Sequence, residues 1–314
     1  MKKVLVTGAL GVIGRNLTQK LKSKNYDVVT TDISVQDYTN YIRADITSFE
    51  DLYRIFKKYK IDVVIHMAGE VGRMVGEEHP QKMVYVNNIG TLNIIKLCLE
   101  NKTKLIYFST SEVYGHLLDR GTHVLEDEIE KFGSPFITTN VYASSKLFGE
   151  SLVRHYVTNY DLNAVTIRPF MIYGPGEYPS KYRSAICNFI NSGLTGEKIV
   201  VHKGAIRSWC YVDDFIDGVC LTIENHPTGR YEAFNIGTDE YYSMEEVARM
   251  VIEETGGNYD QITCINPPEK FMSLVKMASI EKIKSLGYSP KVSLRAGIKI
   301  VVDWQKKNVH NKTS

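Results

Sequence analysis

The chain has 314 residues, a formal net charge of +2, 43% hydrophobic and 24% charged residues. That length accommodates one large α/β domain or two closely fused ones, and the near-neutral balance gives no electrostatic case for nucleic acid or a membrane surface as partner. The five cysteines (98, 187, 210, 220 and 264) are scattered without metal-ligand spacing and read as reduced thiols of a cytoplasmic protein; no signal peptide precedes the first strand, and no apolar run is long enough to span a bilayer.

In chain order, "KVLVT" (3–7) is a β-branched run suited to a buried parallel strand. A glycine-rich turn follows, then Val12, Leu17 and Leu21 recur at helical spacing, and "YDVVTTD" (26–32) reads as a second strand. Strand, turn, helix and strand within about thirty residues make a βαβ unit. Further strands are expected at 41–45, 62–69, 104–110 and 163–170, with helices over about 49–59, 83–100 and 141–160. Residues 116–138 read as a polar, acidic loop. The alternation predicts a doubly wound parallel sheet, a Rossmann fold. After Pro169 the pattern becomes irregular, and "RYEAFNIG" (230–237) reads as a strand returning to the main sheet. The expected organisation is a nucleotide-binding domain over 1–168, with a returning segment at about 207–237. A smaller substrate-binding part occupies 169–206 and 238–314.

The turn "TGALGVIG" places Gly8, Gly11 and Gly14 between a strand and a helix. Glycine lets the backbone approach a pyrophosphate closely, and the helix start, with Val12 and Ile13, offers free N–H groups and a positive dipole end. Asp32, ending the second strand, is placed to bind both ribose hydroxyls of adenosine and to repel a 2′-phosphate, which favours NAD over NADP. Arg15 is the counter-argument, being a guanidinium able to hold that phosphate. Asp45 and Ile46 are placed to reach the adenine, the alternative for Asp45 being a helix N-cap.

Tyr142 and Lys146 stand at i and i+4, on one helix face. A free tyrosine, with a pKa of about 10, is a poor base near neutrality; a neighbouring ammonium and a positively charged nicotinamide favour its phenolate. The string "STSE", Ser109 to Glu112, ends the fifth strand with three hydroxyls and a carboxylate. The eight histidines form no metal set, and His66 reads as core or cofactor-side packing.

Together, Gly8-x-x-Gly11-x-x-Gly14, Ser109-Thr110-Ser111-Glu112 and Tyr142-x-x-x-Lys146 resemble the extended short-chain dehydrogenases that act on nucleotide sugars. The resemblance covers nearly the whole chain, through "HMAG" (66–69), "VNNIGT" (86–91), "RPFMIYGPG" (168–176), "RSWCYVDD" (207–214) and "FNIG" (234–237). It implies NAD as cofactor, held also by Met67, Ala68, Gly69, Asn87, Ser109, Lys146 and Pro169. It implies that Thr110 hydrogen-bonds the sugar's 4-hydroxyl while Tyr142 removes its proton, and that Ser111 and Glu112 decide the fate of the resulting ketone. In dTDP-glucose 4,6-dehydratases an aspartate stands where this chain has Ser111, a much poorer acid, which argues against that reaction. UDP-glucuronate decarboxylases share Ser-Glu, but their G-P-R-M motif is Gly174-Pro175-Gly176-Glu177 here.

Arg207 matches the arginine that grips the sugar nucleotide's pyrophosphate in relatives. Lys270 stands in for a further arginine that is missing. The stretches 68–76, 174–190 and 234–251 resemble GDP-mannose 3,5-epimerases, whose catalytic cysteine is absent, and the mixture is similar to GDP-D-glycero-D-manno-heptose 4-dehydrogenases of bacterial capsule synthesis. Arg183 and Asn188 then become contacts to the nucleotide end. A UDP-hexose 4-epimerase is the enzymatic alternative, and a non-catalytic NAD(H) sensor the distant one. Family likeness further implies a homodimer through the helices near 85–100 and 141–160. No metal is expected.

Overall fold

Seven parallel strands form the central sheet of the computed structural model, which describes residues 1–132, 138–225, 229–267 and 273–310. The first half runs β1 (Lys3–Thr7), α1 (Val12–Ser23), β2 (Asp27–Asp32), β3 (Tyr41–Arg43), α2 (Phe49–Lys58), β4 (Val63–His66), α3 (Arg73–Glu78), α4 (Pro80–Asn101) and β5 (Lys104–Phe108). A run of 3₁₀ turns over Ser111–Arg120, broken at Gly115, leads to α5 (Glu128–Phe132), α6 (Val141–Tyr160) and β6 (Ala164–Pro169). Then come β7 (Ile172–Tyr173), α7 (Ala185–Thr195), β8 (Ile199–His202), β9 (Ile206–Arg207), β10 (Cys210–Tyr211), α8 (Val212–Asn225) and β11 (Ala233–Ile236). The chain finishes with β12 (Tyr242–Ser243), α9 (Met244–Thr255), β13 (Ile262–Ile265), β14 (Val275–Lys276), α10 (Glu281–Lys284) and α11 (Leu294–Gln305).

The sheet order is β11-β6-β5-β4-β1-β2-β3. Strand order reverses between β1 and β4, so the turns leaving them splay apart and open a crevice at the carboxyl ends. The buried runs of β1, β4 and β5 alternate between two apolar cores. Val4, Val6, Ile65 and Ile106 meet Leu17 and Leu21 of α1 with Phe215 of α8, while Leu5, Val64 and Leu105 meet Leu52, Ile94 and Val153 from α2, α4 and α6. Covered on both faces, these strands must be apolar throughout, which is why they read as continuous runs. The smaller sheets β12-β9-β14, β13-β8 and β10-β7 lie in the C-terminal half.

Two expectations need correction. The acidic stretch after residue 116 is not a loop throughout: 3₁₀ turns extend to residue 120, α5 occupies 128–132, and Val124 bridges to Ala278; residues 133–137 lie outside the described residues. The tract between β4 and α4 contains α3, a helix too short to show apolar periodicity. Among the described residues no helix is long and apolar enough to cross a membrane.

Candidate active site

Gly8 takes φ +70°, and a Cβ there would sit 2.8 Å from the Ala68 amide nitrogen. At Gly14 a Cβ would come within 2.3 Å of the Gly8 carbonyl oxygen. The turn is thus folded onto itself and onto the segment after β4. Gly11 caps α1 without any side-chain hydrogen bond to the first turn. Those N–H groups stay available to an anion.

Two cavities meet at this turn and share Gly8, Gly11, Met67 and Val71. The first, about 550 Å³, is lined by Asp32, Asp45, Ile46, Ala68 and Gly69, with Lys82 and Tyr85 of α4. Asp32 accepts hydrogen bonds from the Leu10 and Ile33 amides (3.0 and 2.8 Å), which fix its carboxylate at the end of β2. Arg15 does not border this cavity. Its Nε donates to the Leu10 carbonyl at 2.7 Å, and it lines an adjoining polar cavity with Trp304 and Asn308. Asp45 accepts from the Thr47 amide and hydroxyl, both at 2.8 Å, while the N-cap of α2 is Ser48.

The second cavity, about 340 Å³, is lined by Val12, Ile13, Gly14, Ser109, Thr110, Tyr142, Lys146, Pro169 and Arg183. Asn140 caps α6 by accepting from the Ala143 amide at 2.8 Å, so Tyr142 and Lys146 fall in the first two turns and face the end of β5. Burial pushes the Tyr142 phenol up to about 12, opposed by a hydrogen bond with Thr110 and reinforced by the Glu112 charge. Burial pulls Lys146 down to about 8, its Nζ donating to the Phe108 carbonyl at 2.9 Å. Desolvation is the largest influence on the phenol.

Asn87 stands behind the lining. Its amide accepts from the Glu70 N–H (2.8 Å) and donates to the Glu70 carbonyl (3.1 Å) and to Ser145 (2.9 Å), pinning the segment after β4 to α6. His66 is fully buried between Thr7 (2.9 Å) and Thr91 (3.2 Å), and desolvation holds it neutral, at about 3. Ser111 and Glu112 do not line either cavity: the lining of the second stops at Thr110.

Glu112, partly buried, instead forms an ion pair with the buried Lys276, and Asn140 donates to its other oxygen at 3.4 Å. Burial works to raise the Glu112 carboxyl, but Lys276, Arg73 and Arg207 together bring it below its usual value. Arg207 is buried, and its Nη atoms donate to the carbonyls of Ile206 (2.9 Å), Ser273 (2.8 Å) and Leu274. Asn188 folds the 180–183 turn by binding both the amide and carbonyl of Ser180, setting the loop that carries Arg183. Lys270 lies outside the described residues. Sequence reading missed Lys276 and Arg73. Lys276 stands 164 positions from Glu112 in a two-residue strand, and no local pattern joins such residues.

The pair of cavities fits a dinucleotide. Ser109 presents a buried hydroxyl to the second cavity that finds no hydrogen-bond partner among the described residues. Asp32 offers a carboxylate at the end of β2, and the uncapped start of α1 lies between them. Among the described residues no group of three or more His, Cys, Asp or Glu side chains gathers as a metal site.

Comparison with known proteins agrees with this geometry. The chain is 30% identical to human dTDP-D-glucose 4,6-dehydratase, covering 99% of this chain and 91% of that protein. It is 29% identical to UDP-glucuronic acid decarboxylase 3 of Arabidopsis thaliana, covering 95% and 87%. Among solved structures, the UDP-glucose 4-epimerase of Thermus thermophilus in complex with NAD superposes with a TM-score of 0.84 at 25% identity, covering 98% of this chain and all of that one (100%). Neighbours solved with NAD bound, and the NAD dependence of the family, identify the cofactor as NAD and the chain as an extended short-chain dehydrogenase-type enzyme. The sequence model of the NAD dependent epimerase/dehydratase family matches residues 4–237, and the chain belongs to that family.

Proposed function

We propose that this enzyme oxidises the C4 hydroxyl of a nucleotide-linked sugar, with a GDP-linked, manno-configured hexose or heptose as substrate, in bacterial capsule polysaccharide synthesis. The observation that supports it is the meeting of Thr110, Tyr142 and Lys146 in one cavity that adjoins the glycine turn. Bound NAD+ supplies the hydride acceptor and a positive charge at the nicotinamide. Thr110 orients the 4-hydroxyl, Tyr142 takes its proton, and Lys146, neutral or charged near pH 8, positions ribose hydroxyls and relays the proton. Arg183, exposed at the mouth of the same cavity as Glu177, meets the nucleotide's phosphates. The GDP and manno assignments rest on the stretches at 68–76, 174–190 and 234–251.

A single-turnover titration tests the reading. The NAD-loaded protein is mixed separately with GDP-mannose, a GDP-linked heptose, UDP-glucose and dTDP-glucose while nicotinamide absorbance is followed. Reduction by GDP-sugars alone is expected; reduction by UDP-sugars alone refutes the substrate assignment and favours the UDP-hexose 4-epimerase or decarboxylase alternatives. Absence of both reduction and sugar conversion leaves the NAD(H) sensor reading in place. We further propose that the protein acts in the cytoplasm as a homodimer joined through α4 and α6, which leave Val84 and Phe148 exposed; a monomer in light scattering refutes this.

A further inference from the structure

Glu112 is the carboxylate of the Ser109–Glu112 string, the one that the family resemblance makes decide the fate of a C4 ketone; Glu177, which does line the cavity, is engaged by the amide and hydroxyl of Ser184. The surroundings of Glu112 are those of a charge held in place. Lys276 of β14 pairs with one oxygen and Asn140, capping α6, donates to the other. Arg73 of α3 and Arg207 of β9 add their fields, so three cations from three elements face a single carboxylate. Tyr142, on α6, is a further titratable group that feels the Glu112 charge. The cavity lined by Tyr142 and Thr110 stops short of Glu112. Independently, Ser111 stands where elimination would need an acid.

Resting on the proposed C4 oxidation, we propose that Lys276 is a positioning and specificity residue: it holds Glu112 in an ion pair away from the sugar, so the C4 ketone is not deprotonated at C5 and chemistry stops at hydride transfer. A ketone at C4 acidifies the C5–H bond. A free carboxylate beside it would take that proton, the electron pair passing onto the ketone oxygen, and a solvent proton would return. A carboxylate paired with an ammonium is a weaker base for this step, since basicity falls as the conjugate acid strengthens.

The test is solvent exchange in D₂O. NAD-loaded protein is given GDP-mannose, UDP-glucose or dTDP-glucose, and deuterium at C5 is counted by mass spectrometry per hydride transferred. Wild type is expected to incorporate almost none; Lys276→Met and Lys276→Gln raise the ratio at least tenfold, and Lys276→Arg restores it. Wild-type exchange at the rate of hydride transfer overturns the proposal, as does a ratio unmoved in folded Lys276→Met or Lys276→Gln. A second readout needs no substrate. The ¹³C carboxyl resonance of Glu112, assigned by its loss in Glu112→Gln, should titrate below the usual glutamate range in wild type and at least one pH unit higher in either neutral variant. Identical titration in all of them overturns the pairing. If no sugar nucleotide reduces the cofactor, the oxidation reading fails by itself, and the carboxyl titration alone decides on the lock.

Discussion

Replacing Arg168 by methionine should destabilise the protein by about 3–5 kcal/mol, the usual cost of leaving one buried charge without its partner. Arg168 is the penultimate residue of β6 and has 2% of its surface exposed. Its Nε and Nη2 bind the two oxygens of Glu150 on α6 at 2.9 and 2.7 Å, a bidentate fork. Nη1 donates to the Tyr114 hydroxyl and the Glu126 carbonyl, both at 2.9 Å. Methionine fills most of the volume but leaves the Glu150 carboxylate, 3% exposed, with the Tyr231 hydroxyl at 3.2 Å and only the field of Lys146 in place of the guanidinium fork. At this chain length the loss corresponds to a fall in melting temperature of roughly 4–8 °C. Circular dichroism melts and urea titrations of Arg168→Met, Glu150→Met and the double variant complete a cycle. The double variant should recover to within about 2 kcal/mol of wild type, because removing both charges removes the desolvation cost as well. A loss below about 1 kcal/mol for Arg168→Met, or a double variant equal to the sum of the singles, refutes the argument. Tyr114 also donates to Asn235 of β11 at 2.7 Å, so the single variant should slow hydride transfer too, by loosening the turns that follow Thr110.

Tyr142→Phe should lower hydride transfer by roughly 10²–10⁴-fold while NAD affinity by calorimetry stays within a few-fold, because the phenol's proton acceptance is lost and the cavity shape is kept. Gly14→Ala should abolish NAD binding in the same assay and cost about 1–3 kcal/mol of stability, since the new methyl meets backbone that cannot rotate aside. Lys146 has a folded pKa of about 8 against 10.5 ordinarily, so between those values the unfolded chain holds more protons and stability rises with pH. Lys146→Met should flatten that rise between pH 8 and 9.5 in urea titrations; an unchanged slope contradicts the assignment.

The parallel strands were legible because burial on both faces demands continuous apolar runs. The glycine turn and the Tyr142–Lys146 pair were legible because each lies within one short segment. Glu112 shows where such reading stops. Its residue type suggests a base, but its charge state is set by Lys276, Arg207 and Arg73, which only the tertiary fold brings near. Asn87 is similar: an asparagine near the cofactor crevice whose amide is taken up by the Glu70 backbone. The short α3 and α5 escaped because helices of six and five residues carry too little pattern.

The last strand of the central sheet, β11, pairs with β6 after an excursion of more than sixty positions through the C-terminal half. The two halves therefore share a sheet edge and cannot be traded like beads on a string. A fragment ending near residue 168 would leave β6 with a bare row of backbone donors and acceptors, inviting another chain to pair there. Chimaeras that exchange the chain after β6 must therefore keep 233–236 compatible with β6, because that short strand completes the edge of the central sheet.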